Sequence, residues 1–186
     1  RIQQIFVANL PSDVVLSAVI KNGSKGMVPP DLTIEQITHT QSSSPRISGP
    51  RHWLTADSSG TWIYTLAQDR NGIVQLARVA SSGGSLELLT NLTESVEGQM
   101  SCSPGGDAVG FVCGGQIHVW SSATRELDCW QDSQWTDCDG GNITPPAVDG
   151  GYVGAIHFVD DATIIANRYI RIDDSPYLQI VEVRRM

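Results

Sequence analysis

The chain has 186 residues, 40% hydrophobic and 17% charged, which is long enough to bury a core in one domain or two small ones. Its 20 acidic and 12 basic residues leave a net charge of −8, the wrong sign for a nucleic-acid partner or an anionic membrane surface. No apolar run approaches the length of a helical bilayer span, so membrane insertion is not expected.

The first predicted strand lies in the opening phrase QIFVANL, from Gln4. Close relatives recur as QLARVAS from Gln75, QIHVWSS from Gln116 and QIVEVRR from Gln179, at separations of 71, 41 and 63 residues. The shortest interval matches the ~40–45 residues of one four-stranded propeller blade. Each longer one contains an insertion, at residues 15–31 and 131–151. A short strand follows the phrase in the first three units: IEQIT from Ile34, LELLT from Leu86 and the weaker RELDC from Arg125. A turn precedes it, as DSSG from Asp57, SPGG from Ser103 and VDDA from Val159, where Gly, Asp and Ser suit tight hairpins.

Between these turns apolar residues alternate or run for four to seven positions, as in half-buried strands, and no helical period is sustained. The fold class is therefore all-β: β-propeller blades of four antiparallel strands, two complete and two partial. A partial blade is expected over residues 1–40, complete blades over 49–92 and 93–130, and a second partial blade over 146–186. In the second unit strands are predicted near 51–56, 61–67, 73–79 and 84–90. In the third they fall near 98–102, 107–113, 115–121 and 123–129, and in the fourth near 154–159, 162–168 and 177–183. Two whole and two partial blades do not close a ring, so the chain is expected to be the C-terminal part of a longer protein. Its exposed blade edges would favour dimer formation.

The stretch PRHWLTADSSGTWIYTLAQDRNGIVQLARVASSGGSLELLT, with SCSPGGDAVGFVCGGQIHVW after it, resembles the TolB-like propeller repeats. PRHWL with DRNGIVQL looks more narrowly like the uncharacterised bacterial Tol biopolymer transporter-like proteins. The resemblance covers residues 49–127 and implies the propeller fold, with little said about activity, because that fold hosts binding proteins, lyases and peptidase-associated domains alike. Cys102 and Gly105 stand where the repeat has tryptophan and aspartate, and VDDAT replaces the turn in the fourth unit.

In propellers the loop leading into the innermost strand and the loop between strands two and three share one rim. Here that rim would collect His39, Arg46, Arg51, His52, Asp69, Arg70, Asp137, Asp139, Asp173 and Asp174. Of these His39, Arg51, His52, Asp69, Arg70, Asp173 and Asp174 are the candidate binding residues, since function concentrates on loops held by a rigid scaffold. Solvated loop charges are the plain alternative. His39 and His52 could act as metal ligands or as base and electrophile, but the further ligands a metal requires are not apparent. His118 and His157 fall inside predicted strands and read as packing residues. DCDGGN, from Asp137, lacks the third carboxylate and closing Glu of a calcium loop and reads as a surface turn.

No nucleophile elbow, phosphate loop or dinucleotide fingerprint occurs, so no cofactor and no catalytic residue is assigned. Cys129 and Cys138 flank a loop short enough for a disulfide, whereas Cys102 and Cys113 read as apolar strand residues. Asn22, Asn91 and Asn142 begin N-x-S/T glycosylation sequons, and together with the cysteine pair they lean toward an extracytoplasmic setting. The expected function is a non-catalytic module binding a protein or glycan partner through the rim. The alternatives are a metal-dependent polysaccharide lyase of the oligogalacturonate-lyase type and the propeller domain of a larger serine peptidase.

Overall fold

The computed structural model describes residues 6–9, 33–36, 46–47, 54–131, 134–137, 152–172 and 175–184. Every regular element among them is a β-strand, and every pairing is antiparallel. The chain is an all-β propeller assembly of two complete blades and two partial ones.

The first unit pairs β1 (Phe6–Asn9) with β2 (Thr33–Gln36). In the second, β5 (Trp62–Gln68) pairs with β6 (Val74–Ala80), which pairs with β7 (Glu87–Leu88). Its inner position differs from the single strand expected at 51–56. Two short pieces, β3 (Arg46–Ile47) and β4 (Thr55–Ala56), lie along the same side of β5, at Ala67–Gln68 and Ile63–Tyr64.

The third unit is a five-stranded meander of β8 (Val96–Cys102), β9 (Ala108–Cys113), β10 (Gln116–Ser121), β11 (Leu127–Gln131) and β12 (Gln134–Asp137). The outer strand begins at Leu127 rather than near 123. Ser121 and Glu126 close a turn first, with Arg125 held at φ 62°. β12, expected to belong to an insertion, instead extends the blade by one strand. In the fourth unit β13 (Tyr152–Phe158), β14 (Thr163–Ile172) and β15 (Ser175–Arg184) form a three-stranded sheet.

The blades stack face to face, and β9 shows why. All six of its residues are buried, so its alternation sorts side chains between two neighbouring sheets rather than between core and water. Val109, Phe111 and Cys113 join Tyr64, Leu66 and Leu76 of the second blade in one core. Ala108 and Val112 join Ile156, Phe158 and Ile164 of the fourth in another. Gly110 lies on the second face, where a Cβ would come within 2.7 Å of Ile156 Cδ1. Ser101 Oγ of β8 accepts a hydrogen bond from the Phe158 amide at 3.0 Å, linking the inner strands of these two blades.

The repeated glutamine also has a structural task. Gln75 is buried at the start of β6, where its Oε1 accepts from Thr90 Oγ1 and the Leu92 amide, both at 2.8 Å. Its Nε2 donates to the Leu92 carbonyl at 2.9 Å. One side-chain amide thus satisfies the backbone of the segment leading into the next blade, where no strand partner is available. Gln116 occupies the matching place in the third blade and is likewise buried.

Candidate functional site

The two ends of the blades are used differently. At one end the β4–β5 and β8–β9 turns and the β13–β14 turn are joined across blades. Ser58 Oγ donates to the Gly105 carbonyl at 2.9 Å, and the Gly105 amide donates to Asp161 Oδ1 at 2.6 Å. Gly106, at φ 82°, packs so closely that an added Cβ would lie 2.9 Å from the Ser58 amide nitrogen. Gly105 replaces the aspartate usual in the resembled repeat, and its missing side chain admits the Asp161 carboxylate, which would lie 2.8 Å from a Cβ. These turns therefore bind the blades to one another.

The other end carries the turn of Asp69, Arg70, Asn71 and Gly72 between β5 and β6. Asp69 Oδ1 accepts from the amides of Asn71 and Ile73 at 2.8 and 2.9 Å, an Asx-type arrangement that fixes the loop. Its Oδ2 accepts from Gln75 Nε2 at 3.3 Å. Gln68 Nε2 completes the brace by donating to the Gly72 carbonyl at 2.7 Å. Arg70 and Asn71 are exposed at the tip. The segment after β7 reaches the same end through its bonds to Gln75, and there Asn91, Thr93 and Glu94 are exposed. The corresponding turn of the third blade is the two-residue hairpin Gly114–Gly115, both at positive φ, as a tight twist-matched hairpin requires. The Gly115 carbonyl accepts from the Val153 amide at 3.1 Å.

Of the candidate rim residues, the structure brings Asp69 and Arg70 together, with distinct roles: Asp69 holds the turn and Arg70 projects from it. Backbone register also puts Arg46 at this end, opposite Gln68. Asp137 is corrected. It pairs with Asp128 in β12, which runs away from the rim, and so lies toward the opposite end. His39, Arg51, His52, Asp139, Asp173 and Asp174 lie outside the described residues, as do the sequons at Asn22 and Asn142. The third sequon, Asn91, is exposed on the rim.

His118 is a packing residue, fully buried and stacked on Phe111 with ring centroids 5.4 Å apart. His157 is not: β13 alternation turns Ile156 and Phe158 into the core and leaves His157 exposed. Burial pushes the His118 pKa down to about 4, with a partly opposing hydrogen bond to the Cys113 carbonyl. Cys129 is disulfide-bonded, and Cys138 lies outside the described residues. Cys102 and Cys113 are free thiols, raised to about 11 and about 12 by burial, which suits the strand role read for them and leaves them poor nucleophiles.

Sequence reasoning missed one cluster. The Arg78 guanidinium lies 4.0 Å over the Trp62 ring and 5.7 Å from that of Trp120 in the next blade, while its Nε bonds Glu87 Oε2 at 2.7 Å. Arg125 of the third blade pairs with the other oxygen of Glu87. The one signal in the sequence was an arginine at a strand position flanked by apolar residues in QLARVAS, a poor place for a charge unless a partner awaits it. Among the described residues no group of three or more His, Cys, Asp or Glu could hold a metal ion.

No family model matches the chain. Over 140 residues it is 27% identical to the uncharacterised protein YidR of Escherichia coli (strain K12), an alignment covering 69% of this chain and 33% of that protein. The chain thus spans about a third of the length of this curated relative. Among solved structures it is similar to oligogalacturonate lyase in complex with manganese, with a TM-score of 0.50 and 12% identity over 78% of this chain and 43% of that one. At that identity the likeness is one of fold, and the fold shared is the β-propeller.

Proposed function

We propose that the chain contributes to a TolB-like propeller that binds a protein or glycan partner, without catalysis, through the rim bearing the Asp69–Gly72 turn. The observation that carries this reading is the asymmetry between the two ends of the blades. One end spends the β4–β5, β8–β9 and β13–β14 turns on blade-to-blade hydrogen bonds. At the other the Gly114–Gly115 hairpin bonds the next blade through Val153, but the Asp69–Gly72 loop holds Arg70 and Asn71 outward on its own brace. A preorganised loop loses little entropy on capture, which is what a recognition surface needs. The test is binding to a glycan array and to a protein array with Arg70→Glu, His52→Ala and their combination, and Ser58→Ala on the opposite end as control. Loss of binding in the rim variants alone is expected. Equal binding by the Arg70→Glu, His52→Ala double variant would remove the rim.

The likeness in fold to oligogalacturonate lyase supplies the second reading, a metal-dependent polysaccharide lyase. His39 and His52 are the residues of this chain it would draw on. Calorimetric titration with manganese, on wild type and on His39→Ala, separates the two: saturable binding lost in the variant favours the lyase.

A further inference from the structure

The turn that carries Arg70 and Asn71 also holds a chemically labile dipeptide, and the fold itself calls for it. The Gly72 amide donates to the Asp69 carbonyl at 3.2 Å, closing a β-turn, and the Asp69 amide donates to the Ile73 carbonyl at 2.9 Å. Gly72 stands at φ 85° as the bulge residue of this hairpin, a place that favours glycine. Asparagine suits the turn position before it. Turn chemistry thus writes Asn71–Gly72 into an exposed tip. In such a pair the side-chain amide carbon can reach the next backbone nitrogen, and glycine has no side chain to shield that nitrogen. The same turn opposes the reaction. Asp69 holds three consecutive amides: Asn71 and Ile73 through Oδ1, at 2.8 and 2.9 Å, and Gly72 through its carbonyl. Gln68 Nε2 adds its bond to the Gly72 carbonyl at 2.7 Å.

We propose that Asn71 is a site of spontaneous deamidation whose rate is gated by Asp69. The co-reactant is water. Once hydroxide has removed its proton, the Gly72 backbone nitrogen attacks Asn71 Cγ. A C–N bond forms, the Cγ–Nδ2 bond breaks, and Nδ2 leaves as ammonia with a proton taken from water. The product is a cyclic imide, which water then opens. Cleavage at Cγ gives aspartate. Cleavage at the backbone carbonyl carbon gives isoaspartate, with the main chain routed through Cβ. Nothing is oxidised or reduced. Ring closure turns the Asn71–Gly72 peptide and takes its N–H from the Asp69 carbonyl, so it proceeds from a loop whose brace has opened. Either product sets a new carboxylate beside Arg70. The reaction itself does not depend on what the rim binds.

The test incubates the whole protein and a peptide of residues 66–76 side by side at mildly alkaline pH, then digests both at acidic pH. Mass mapping follows the exchange of amide for acid at Asn71. An isoaspartyl methyltransferase with labelled S-adenosylmethionine scores the isoaspartate. The chain's other Asn–Gly pair, Asn22–Gly23, is read in its own fragment. In the folded chain Asn71 should convert about tenfold more slowly than in the peptide, the worth of one to two internal hydrogen bonds. Asp69→Ala should remove most of that difference, and Asn71→Gln should suppress conversion at this position. The comparison of folded chain with peptide stands even if Asp69→Ala does not fold. Equal rates in chain and peptide, or a folded Asp69→Ala protein that reacts no faster than wild type, would overturn the gate. An Asn71 still intact after about a hundred peptide half-lives would overturn the site, since that exceeds the braking of such bonds.

Discussion

Gln75 and Leu92 form a closed pair across the gap between two blades: the amide of one accepts from and donates to the backbone of the other, at 2.8 and 2.9 Å. Both groups of Leu92 are buried with it. Gln75→Leu keeps the volume but leaves a backbone N–H and a carbonyl facing an apolar side chain. The expected cost is about 2–4 kcal/mol, the desolvation of two buried polar groups, read as a lower urea midpoint at unchanged slope.

Asp69 and Arg70 are neighbours with separable tasks. Asp69→Ala removes three acceptor contacts and is expected to destabilise the protein by about 1–2 kcal/mol, as loss of a turn-capping side chain does. Arg70→Ala should leave stability within about 0.5 kcal/mol, as exposed substitutions do, while weakening partner capture. Parallel melts and binding assays of the two variants check this, and a stable Asp69→Ala protein would sever the link between brace and rim.

The second blade's copy of the repeat has a local reason for its glutamine, because Gln75 bonds the segment that follows its own blade. The three-stranded meander of the fourth unit was legible from its turns, Val159–Thr163 above all. What escaped depends on partners far along the chain. The inner position of the second blade splits into Arg46–Ile47 and Thr55–Ala56 because both find room beside β5, which period-two reading of 51–56 does not reveal. The outer strand of the third blade starts late because Arg125 adopts φ 62° without a glycine to announce it. At the candidate site, Asp69 read in sequence as a binding residue of the rim, with a solvated charge as the alternative, and its part in holding the turn was not visible. Its bonds run to amides two and four residues onward, which any loop aspartate could offer.

His118 gives the fold a measurable pH dependence. Its folded pKa of about 4 lies below the ordinary value near 6.5, chiefly through burial, so the unfolded chain binds more protons between those limits. Stability is then fully present above pH 6.5 and falls as the pH drops toward 4. The expected loss from this residue is about 3 kcal/mol. Urea unfolding at pH 7, 5.5 and 4 should show the slope in wild type and a flatter one in His118→Phe.

Glu87 acts in a lower window. The hydrogen bond from Arg78 holds its carboxyl below the usual 4.5, with Arg125 adding to the effect and partial burial opposing it. A depressed carboxylate stabilises above its unfolded pKa and loses that contribution as pH falls below 4.5 through the folded value. Glu87 is 40% exposed, so solvent screening limits the effect to at most about 1 kcal/mol. Glu87→Gln should lose stability at pH 7 and converge on wild type near pH 3. Salt at 7 should narrow the difference, because the Arg125 arm is the more exposed, at 61%.

Gly110 is where the third and fourth blades come closest. A methyl there would stand 2.7 Å from Ile156 Cδ1 and 3.1 Å from Phe158 Cε2, both on side chains with almost no exposed area into which to retreat. Gly110→Ala is thus an overpacking change across an interface, expected to cost about 1–3 kcal/mol, although alanine suits a strand better than glycine. Ile156→Val deletes the clashing methyl and alone should cost about 1 kcal/mol. If the clash is the cause, the double variant will be more stable than the sum of the two losses predicts, because the second change vacates the space the first one fills. Additive losses in the double-mutant cycle would place the cost of Gly110→Ala in the strand backbone instead of in the packing between blades.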